Sequence, residues 1–169
     1  MEFRPVPKPV SKPKEKPRYK ERRPKKKPKK KNTNVLMFHN RRIPHWKQRG
    51  AVPKKEAIKA LHFYGEHCAV CMSPEYQLHH VTHKGYGIGG RGVWRNLVPL
   101  CGYHHTGDGG PHKNIETVDK AWKEAHEKIF GSHYFKDAYD LWMEGLISSP
   151  TEDLLEAFME GEGNEKIRN

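Results

Sequence analysis

The sequence contains no apolar run that approaches the roughly 18 residues required to cross a membrane as a helix. Its N-terminal region also lacks the apolar core of a secretory signal peptide. Cysteine is scarce, with three residues, two of which form a C-x2-C pair. An odd number of cysteines with this spacing favours metal ligation in a reducing compartment over disulfide bonds. We therefore expect a soluble, cytoplasmic protein that has no membrane partner.

Hydrophobic residues make up only 34% of the 169 residues, and the deficit is uneven along the chain. Residues 1–31 contain fifteen lysines and arginines, three glutamates and seven prolines, and they account for the whole net charge of +12. This composition cannot bury enough apolar surface to offset chain entropy, which predicts a disordered, Lys/Pro-rich basic arm. Two interpretations remain open for the arm, namely a salt-sensitive tether for nucleic acid and a solubilising or targeting tail.

Beyond the arm, the remaining length corresponds to one small domain. Residues 32–52 are interpreted as a basic linker segment with little regular structure. Apolar spacing predicts a helix between Pro53 and Gly65, strands over residues 76–81 and 96–100, and a glycine-rich loop over residues 85–92. A helix capped by Thr117 is predicted to end at Gly131, with further helices over residues 133–144 and from residue 152. We expect an α+β domain over residues 53–131 and acidic C-terminal helices over residues 132–169.

The part of the chain after the arm is also divided by charge. Residues 32–113 carry a net charge of +7 and residues 114–169 a net charge of −7. A polyanion such as nucleic acid is expected to bind the basic half, whereas the acidic helices face solvent, support the fold or contact a protein partner. Lys84, Arg91 and Arg95 flank the glycine-rich loop and are candidate phosphate contacts, although Arg95 could instead form an ion pair within the domain.

Two pairs of potential metal ligands are separated by 29 residues, and each pair has two residues between its members. They are Cys68-x2-Cys71 and Cys101-x2-His104. Zinc prefers four soft or borderline ligands in a tetrahedron, and each of these tight turns can provide two of them. The alternative is three buried thiols and a surface imidazole, but paired knuckles of this spacing favour a structural zinc site.

A second group of histidines surrounds the two predicted strands. His79 and His80 end the first strand, and their side chains should point to opposite sides because successive residues of a strand alternate. One imidazole could then bind a metal while the other addresses a substrate. His105 and His112 follow the second strand, so four histidines could form a second metal site, with His83 as the nearest additional histidine.

Together, these motifs resemble the HNH endonuclease family in its zinc-stapled form, which is common in phage and prophage proteins. The resemblance extends over Cys68–His112, about a quarter of the chain. It is carried by four motifs in this order: Cys68-x2-Cys71, Leu78-His79-His80-Val81, Arg95-Asn96-Leu97-Val98 and Cys101-x2-His104-His105. The family's fold is a ββα-metal hairpin and helix that binds one divalent cation, usually Mg²⁺ but also Mn²⁺, Ni²⁺ or Zn²⁺.

The resemblance implies a role for each matched residue. His80 would be the general base that activates water, and Asn96 would tie the loop together and hold the base by backbone hydrogen bonds. His79 and His105 would bind the catalytic divalent cation, with His112 as a third ligand. The glycine-rich stretch Thr106–Pro111 departs from the pattern, because many relatives continue directly into a helix after the second metal ligand.

The resemblance therefore implies a metal-dependent DNA endonuclease or nickase that acts in phage or prophage DNA packaging or recombination. A neutral imidazole can accept a proton from water near neutral pH, which suits a single-metal hydrolysis of phosphodiester bonds. Two alternatives remain. One is a non-catalytic, zinc-stabilised nucleic-acid-binding module, and the other is a partner-activated subunit of a larger complex that docks through the C-terminal helices.

Overall fold

The computed structural model describes residues 36–84 and 89–167, without the side chains of residues 162–167. The predicted basic arm over residues 1–31 and the first half of the glycine-rich loop, residues 85–88, lie outside the described residues.

The segment before the first long helix contains regular structure that the sequence did not predict. Strands β1 (Met37–Phe38) and β2 (Arg41–Arg42) form an antiparallel hairpin, and helix α1 (Trp46–Arg49) follows it. The turn residues His39 and Asn40 both have positive φ, as a two-residue type I′ turn requires. The turn escaped prediction because it lacks the glycine that usually marks such hairpins.

The predicted helix and strands of the central region are present. Helix α2 (Lys54–Tyr64) begins after Pro53 and ends at Gly65, whose φ of +88° is unfavourable for residues with a side chain. Strands β3 (Gln77–His80) and β4 (Leu97–Leu100) pair antiparallel, with Leu78 opposite Pro99. Proline is tolerated in β4 because each strand of a two-stranded sheet has a free edge. A 3₁₀ turn (Trp94–Asn96) precedes β4, and the short helix α3 (Gly102–His105) follows it.

The C-terminal helices differ from the prediction at their starts. A π-helical turn (Ile115–Asp119) precedes helix α4 (Lys120–Phe130), so Thr117 lies within that turn and does not cap the helix. Helix α5 (Ala138–Met143) begins five residues later than predicted, because Asp137 forms a capping box with Asp140. The last helix, α6, extends over Glu152–Ile167.

Two apolar clusters form the core. The larger one joins the residue after β3 to β4 and α4 and includes the predicted ligand Cys68, and the smaller one joins α5 to α6. The larger cluster contains Cys68, Val81, Val98, Leu100, Phe130 and Tyr134, and the smaller one contains Leu141, Leu155 and Met159. These clusters establish a mixed α and β fold. In the described part of the chain, no helix is long and apolar enough to cross a membrane.

The acidic C-terminal third is joined to the basic half by ion pairs. Arg49 pairs with Asp137 and Asp140, while Arg91 binds Asp140 through two hydrogen bonds of 2.6 and 2.7 Å. Further pairs connect α2 with α6: Lys55–Glu152, Lys59–Glu152 and Lys59–Glu156. Three roles were considered for the acidic helices: to face solvent, to support the fold or to contact a partner. These ion pairs are direct evidence that they support the fold.

One buried histidine couples the fold to pH. His126 is fully buried, donates from Nδ1 to the Arg95 carbonyl at 2.7 Å and accepts from the Tyr64 hydroxyl at Nε2 at 2.9 Å. Both ring nitrogens are thus occupied in the neutral form, and burial lowers the pKa of His126 below its usual value.

We expect His126 to reduce stability at acid pH. Its folded-state pKa lies below the unfolded value of about 6.5, so the unfolded chain binds the proton first and stability falls as pH drops below that value. The slope of unfolding free energy against pH between pH 7 and 5 should decrease in His126→Gln, by at most about 1.4 kcal/mol per pH unit. Urea unfolding measures this slope. The exposed His62→Gln is the control, and equal slopes in the two variants would contradict the assignment.

Candidate metal centres

The four ligands predicted for the first metal site lie together. Cys68 and Cys71 come from the turn that precedes β3, and Cys101 and His104 flank the start of α3. The turn is closed by the Met72 N–H, which donates to the Cys68 carbonyl at 2.9 Å. It is attached to β4 by the Ala69 N–H, which donates to the Pro99 carbonyl at 2.9 Å.

The distances within this cluster fit a tetrahedral metal ion. His104 Nδ1 lies 3.7 Å from Cys68 Sγ and 3.3 Å from Cys101 Sγ, and the sulfurs of Cys71 and Cys101 are 3.7 Å apart. A tetrahedron with metal–sulfur bonds of about 2.3 Å and a metal–nitrogen bond of about 2.0 Å has edges of about 3.5–3.8 Å. The sulfur–sulfur distance is far too long for a disulfide, and all three cysteines are free. The cluster can therefore hold a metal ion.

The surroundings of Cys68 favour the thiolate form that binds metals. Burial raises its pKa, but hydrogen bonds from nearby backbone groups, with that of Cys101 the strongest, outweigh burial and lower the pKa to about 6. The thiolate is the form that binds metals, so this environment favours the ligating species at neutral pH.

The histidines predicted for the second site also lie together. The ring of His79, on β3, is 5.0 Å from the rings of both His105 and His112, which are 5.1 Å from each other. The ligand nitrogens of these three residues lie within 4.8 Å of one another. The break at Thr106–Pro111 therefore does not separate His112 from the other two, because the chain turns back at Gly110, whose N–H donates to the Gly107 carbonyl at 3.0 Å.

Two of these imidazoles have environments suited to metal binding. His79 is buried and its Nε2 has no hydrogen-bond partner in the described structure. Burial, reinforced by the neighbouring imidazoles, lowers the pKa of His79 to about 3, so it is neutral at physiological pH. His105 donates from Nδ1 to Gln77 Oε1 at 3.2 Å, which leaves Nε2 with its lone pair. The partner Gln77 lies two residues before His79 on β3, on the same face, and was not predicted.

The ring of His80 is held by a backbone carbonyl, a contact that was not predicted from the sequence. Its Nε2 lies 3.1 Å from the Gly50 carbonyl oxygen. A carbonyl can only accept, so Nε2 carries the proton and Nδ1 keeps the lone pair. Burial and, next, the charge of Lys84 lower the pKa of His80 to about 4. At neutral pH, His80 is therefore an uncharged imidazole with a proton-accepting nitrogen.

Asn96 closes the loop between the strands. It is fully buried, accepts from the Thr82 N–H at 2.8 Å, and donates to the carbonyls of Thr82 and Arg91 at 3.1 Å each. Only glycine fits at position 90, beside this amide, because a Cβ there would lie 1.6 Å from the Thr82 carbonyl oxygen. These contacts hold the end of β3, just after His80, against the start of β4.

A single cavity of about 730 Å³ joins the histidines. Besides the four histidines already described, its lining contains residues from α4 and from the turn before it. The lining residues are Leu78, His79, His80, His83, Lys84, His105, His112, Ile115, Asp119 and Lys123. Lys84 is exposed at its rim, where the sequence predicted a phosphate contact.

The other two predicted phosphate contacts are engaged elsewhere. Arg91 is 8% exposed and bound to Asp140, and Arg95 is 9% exposed, paired with Glu156 and placed 4.6 Å over the ring of Trp94. The structure thus differs from the expectation for both residues, because partly buried carboxylates occupy their guanidinium groups. For Arg95, an ion pair replaces the phosphate contact, but its partner Glu156 lies on α6, outside the domain predicted over residues 53–131.

Comparisons with protein-family models, curated proteins and solved structures find no match for the chain. The chemistry of the two histidine- and cysteine-containing clusters therefore has to be judged from their geometry. One cluster is rich in sulfur and closed, and the other is rich in imidazole and borders an open cavity. The first arrangement is typical of structural metal sites and the second of sites that keep a position free for a substrate.

Loss of one sulfur ligand should remove the metal from the first cluster. We expect Cys71→Ser to lose one bound ion per chain and about 3 kcal/mol or more of unfolding free energy, because metal binding and folding are coupled in such sites. Atomic emission and thermal unfolding measure the two effects. The neighbouring exposed Met72→Leu should keep both the ion and the stability. Retention of full stability by Cys71→Ser would contradict a structural role.

Replacement of the Asn96 amide by a carboxylate should destabilise the folded protein. Asn96→Asp keeps the size of the side chain but loses both donated hydrogen bonds, and it leaves two carbonyls facing a buried charge. We expect a loss of about 2–4 kcal/mol in unfolding free energy, measured by urea titration. Gln48→Glu makes the same chemical change at an exposed position and should stay within about 0.5 kcal/mol of the parent. A similar small effect at Asn96 would refute the loop-closing role.

Proposed function

We propose that this protein is a metal-dependent endonuclease of the HNH type that hydrolyses phosphodiester bonds in DNA. The observation that carries the proposal is the pairing, in one cavity, of a neutral imidazole with a fixed tautomer and a cluster of imidazoles that can bind a cation. The first is His80 against the Gly50 carbonyl, and the second is formed by His79, His105 and His112.

The order of the elements supports the same interpretation. The antiparallel pair β3–β4 presents His79 and His80 from its first strand, and the following short helix α3 presents His105. We take this order of two strands and a helix as support for the ββα-metal arrangement that the sequence resemblance implies. Asn96 joins the ends of the loop within the hairpin, as the resemblance implies for that residue.

In the proposed reaction, His80 is the general base. Its Nε2–H is held by Gly50, so Nδ1 accepts the proton of the attacking water. The low pKa keeps His80 neutral and able to accept a proton across the physiological range. His79, His105 and His112 would hold the catalytic cation. When bound, the cation stabilises negative charge on the phosphate and the leaving oxygen.

Exposed basic and aromatic side chains at the rim of the cavity and on α1 support a nucleic-acid substrate. Lys84 lies at the rim, and Trp46 and Lys47 are exposed on α1, the helix that leads into Gly50. Lysine contacts to phosphates provide sequence-independent, salt-sensitive binding, and an exposed indole can stack on a base. The charge of +7 over residues 32–113 agrees with a polyanionic substrate.

For the cysteine-containing cluster, we infer zinc as the resident ion. Three thiolates and one imidazole are the donor set of common structural zinc sites, and the measured edges fit zinc bond lengths. The ion would fix the turn before β3 to the start of α3. It would thereby support the hairpin that carries His79 and His80.

Cleavage should depend on His80. We expect purified protein to convert supercoiled plasmid to open-circle or linear DNA with Mg²⁺, Mn²⁺, Co²⁺ or Ni²⁺, and His80→Ala to lower the rate by about 10²–10⁴-fold. DNA affinity should change little in the variant, because the imidazole is assigned to the chemical step. The exposed His62→Ala serves as the control and should cut at the parent rate.

Two outcomes would contradict the proposal in different ways. Undiminished cutting by His80→Ala would reject this residue as the base. Absence of cutting by the folded, metal-loaded parent with every cation tested, while DNA binding persists, would favour a non-catalytic nucleic-acid-binding module.

A further inference from the structure

The cavity contains a second set of potential metal ligands that meets the first at His79. The ligand atoms of His79, His83 and Asp119 lie within 4.8 Å of one another, as do those of His79, His105 and His112. The ring of His83 is 5.5 Å from that of His79 and 5.2 Å from that of His112. His83 comes from the loop after β3, whereas Asp119 comes from the turn before α4.

The local backbone places the Asp119 carboxylate inside the protein. The turn Ile115–Asp119 is π-helical, and the Asp119 N–H donates to the Asn114 carbonyl, five residues back, at 3.0 Å. This irregular turn directs Asp119 into the cavity, so that the residue is only 2% exposed. π-Helical turns are uncommon and occur frequently at functional sites.

One oxygen of this carboxylate is paired, and the other is not. Oδ2 accepts from Lys123 Nζ at 2.7 Å. Oδ1 lies 3.2 Å from His83 Nε2 and has no hydrogen-bond partner in the described structure. A buried carboxylate oxygen without a donor is costly, so its place in the fold requires another explanation.

The unpaired oxygen has an unpaired neighbour. His79 Nε2 is the other buried side-chain polar atom without a partner among the described residues, and His79 is also 2% exposed. Two buried atoms without partners therefore belong to residues of one group of potential metal ligands. The 3.2 Å between Asp119 Oδ1 and His83 Nε2 equals the spacing of adjacent donors around one ion, which is about 3.0–3.4 Å for bonds of about 2.1 Å.

We propose that His83 and Asp119 are ligands of the cation bound at His79, and that the site selects Co²⁺, Ni²⁺ or Zn²⁺ over Mg²⁺. The donors are then imidazoles and one carboxylate, with His105 and His112 on the open side of the same cavity. Imidazole suits the later first-row transition metals, whereas Mg²⁺ prefers oxygen ligands and retains water. The negative charge of Asp119 also offsets part of the cation's charge.

The proposal takes the position of the cation from the proposed nuclease but does not depend on cleavage. A cation site of this composition can be measured in the absence of DNA. Failure of the nuclease assay with intact cation binding would reject the function and leave the site, and the reverse result would reject the site alone.

The test is a calorimetric titration of the full chain, with its cysteine-containing cluster loaded with zinc, using Co²⁺ and then Mg²⁺ as a competitor. We expect one Co²⁺ per chain to bind at least 10-fold more tightly than Mg²⁺. Its absorption spectrum should show imidazole and oxygen ligation without sulfur-to-cobalt charge transfer, which distinguishes this site from the cysteine-containing cluster.

The decisive variant is Asp119→Asn, with Asp108→Asn as its matched control. Asp108 also pairs with a lysine, Lys113, at 2.7 Å, but its side chain is 82% exposed and belongs to neither group of potential ligands. We expect Asp119→Asn to weaken Co²⁺ binding by about 10- to 100-fold and Asp108→Asn by less than about 2-fold. The rise in melting temperature caused by Co²⁺ should shrink in step with the affinity.

A different result is expected if Asp119 only forms a structural ion pair with Lys123. In that case, Asp119→Asn would lower the melting temperature equally with and without Co²⁺, and the affinity would be unchanged. If Asp119→Asn does not fold, His83→Gln answers the same question, since it removes an imidazole that is one-third exposed. Parent-like Co²⁺ affinity in the folded variant, or equal binding of Mg²⁺ and Co²⁺ by the parent, would overturn the proposal.

Discussion

The hydrogen bonds of the buried Asn96 amide hold together the two strands on which the histidine cavity is built. One side chain binds the backbone at Thr82, just after β3, and at Arg91, near the end of the intervening loop. Gly90 is required beside it because a side chain at that position would collide with the backbone of Thr82. The end of β3 is thereby fixed, and His79 and His80 are fixed with it.

The acidic C-terminal region contributes to the same geometry from a distance. Asp137 and Asp140 bind Arg49, whose carbonyl accepts from the Gly92 N–H at 2.9 Å. Gly50, the next residue, provides the carbonyl that sets the tautomer of His80. A chain of partly buried ion pairs and hydrogen bonds therefore connects α5 to the proposed general base. The basic half and the acidic helices, which are separated along the sequence, form ion pairs with each other in the fold.

The two candidate metal centres differ in chemistry in a way that agrees with different roles. The cysteine-containing cluster is closed by four donors at tetrahedral spacing and lies against the larger apolar core through Cys68. The histidine cavity holds neutral imidazoles, a buried carboxylate and an exposed lysine around an open volume. The first can compensate for the small apolar core of a chain that is poor in hydrophobic residues, and the second has room for a substrate.

The sequence by itself determined the mixed α and β class, helix α2 with its ends at Pro53 and Gly65, the strands β3 and β4, and the grouping of Cys68, Cys71, Cys101 and His104. These features depend on short-range patterns, namely apolar periodicity, turn residues and paired ligand spacings. Only the tertiary structure decided that Gly50 holds His80, that Arg91 and Arg95 are buried in ion pairs, and that Asp119 enters the cavity. Each of these depends on contacts between residues 30 or more positions apart, or on an irregular turn, and no local pattern encodes such contacts.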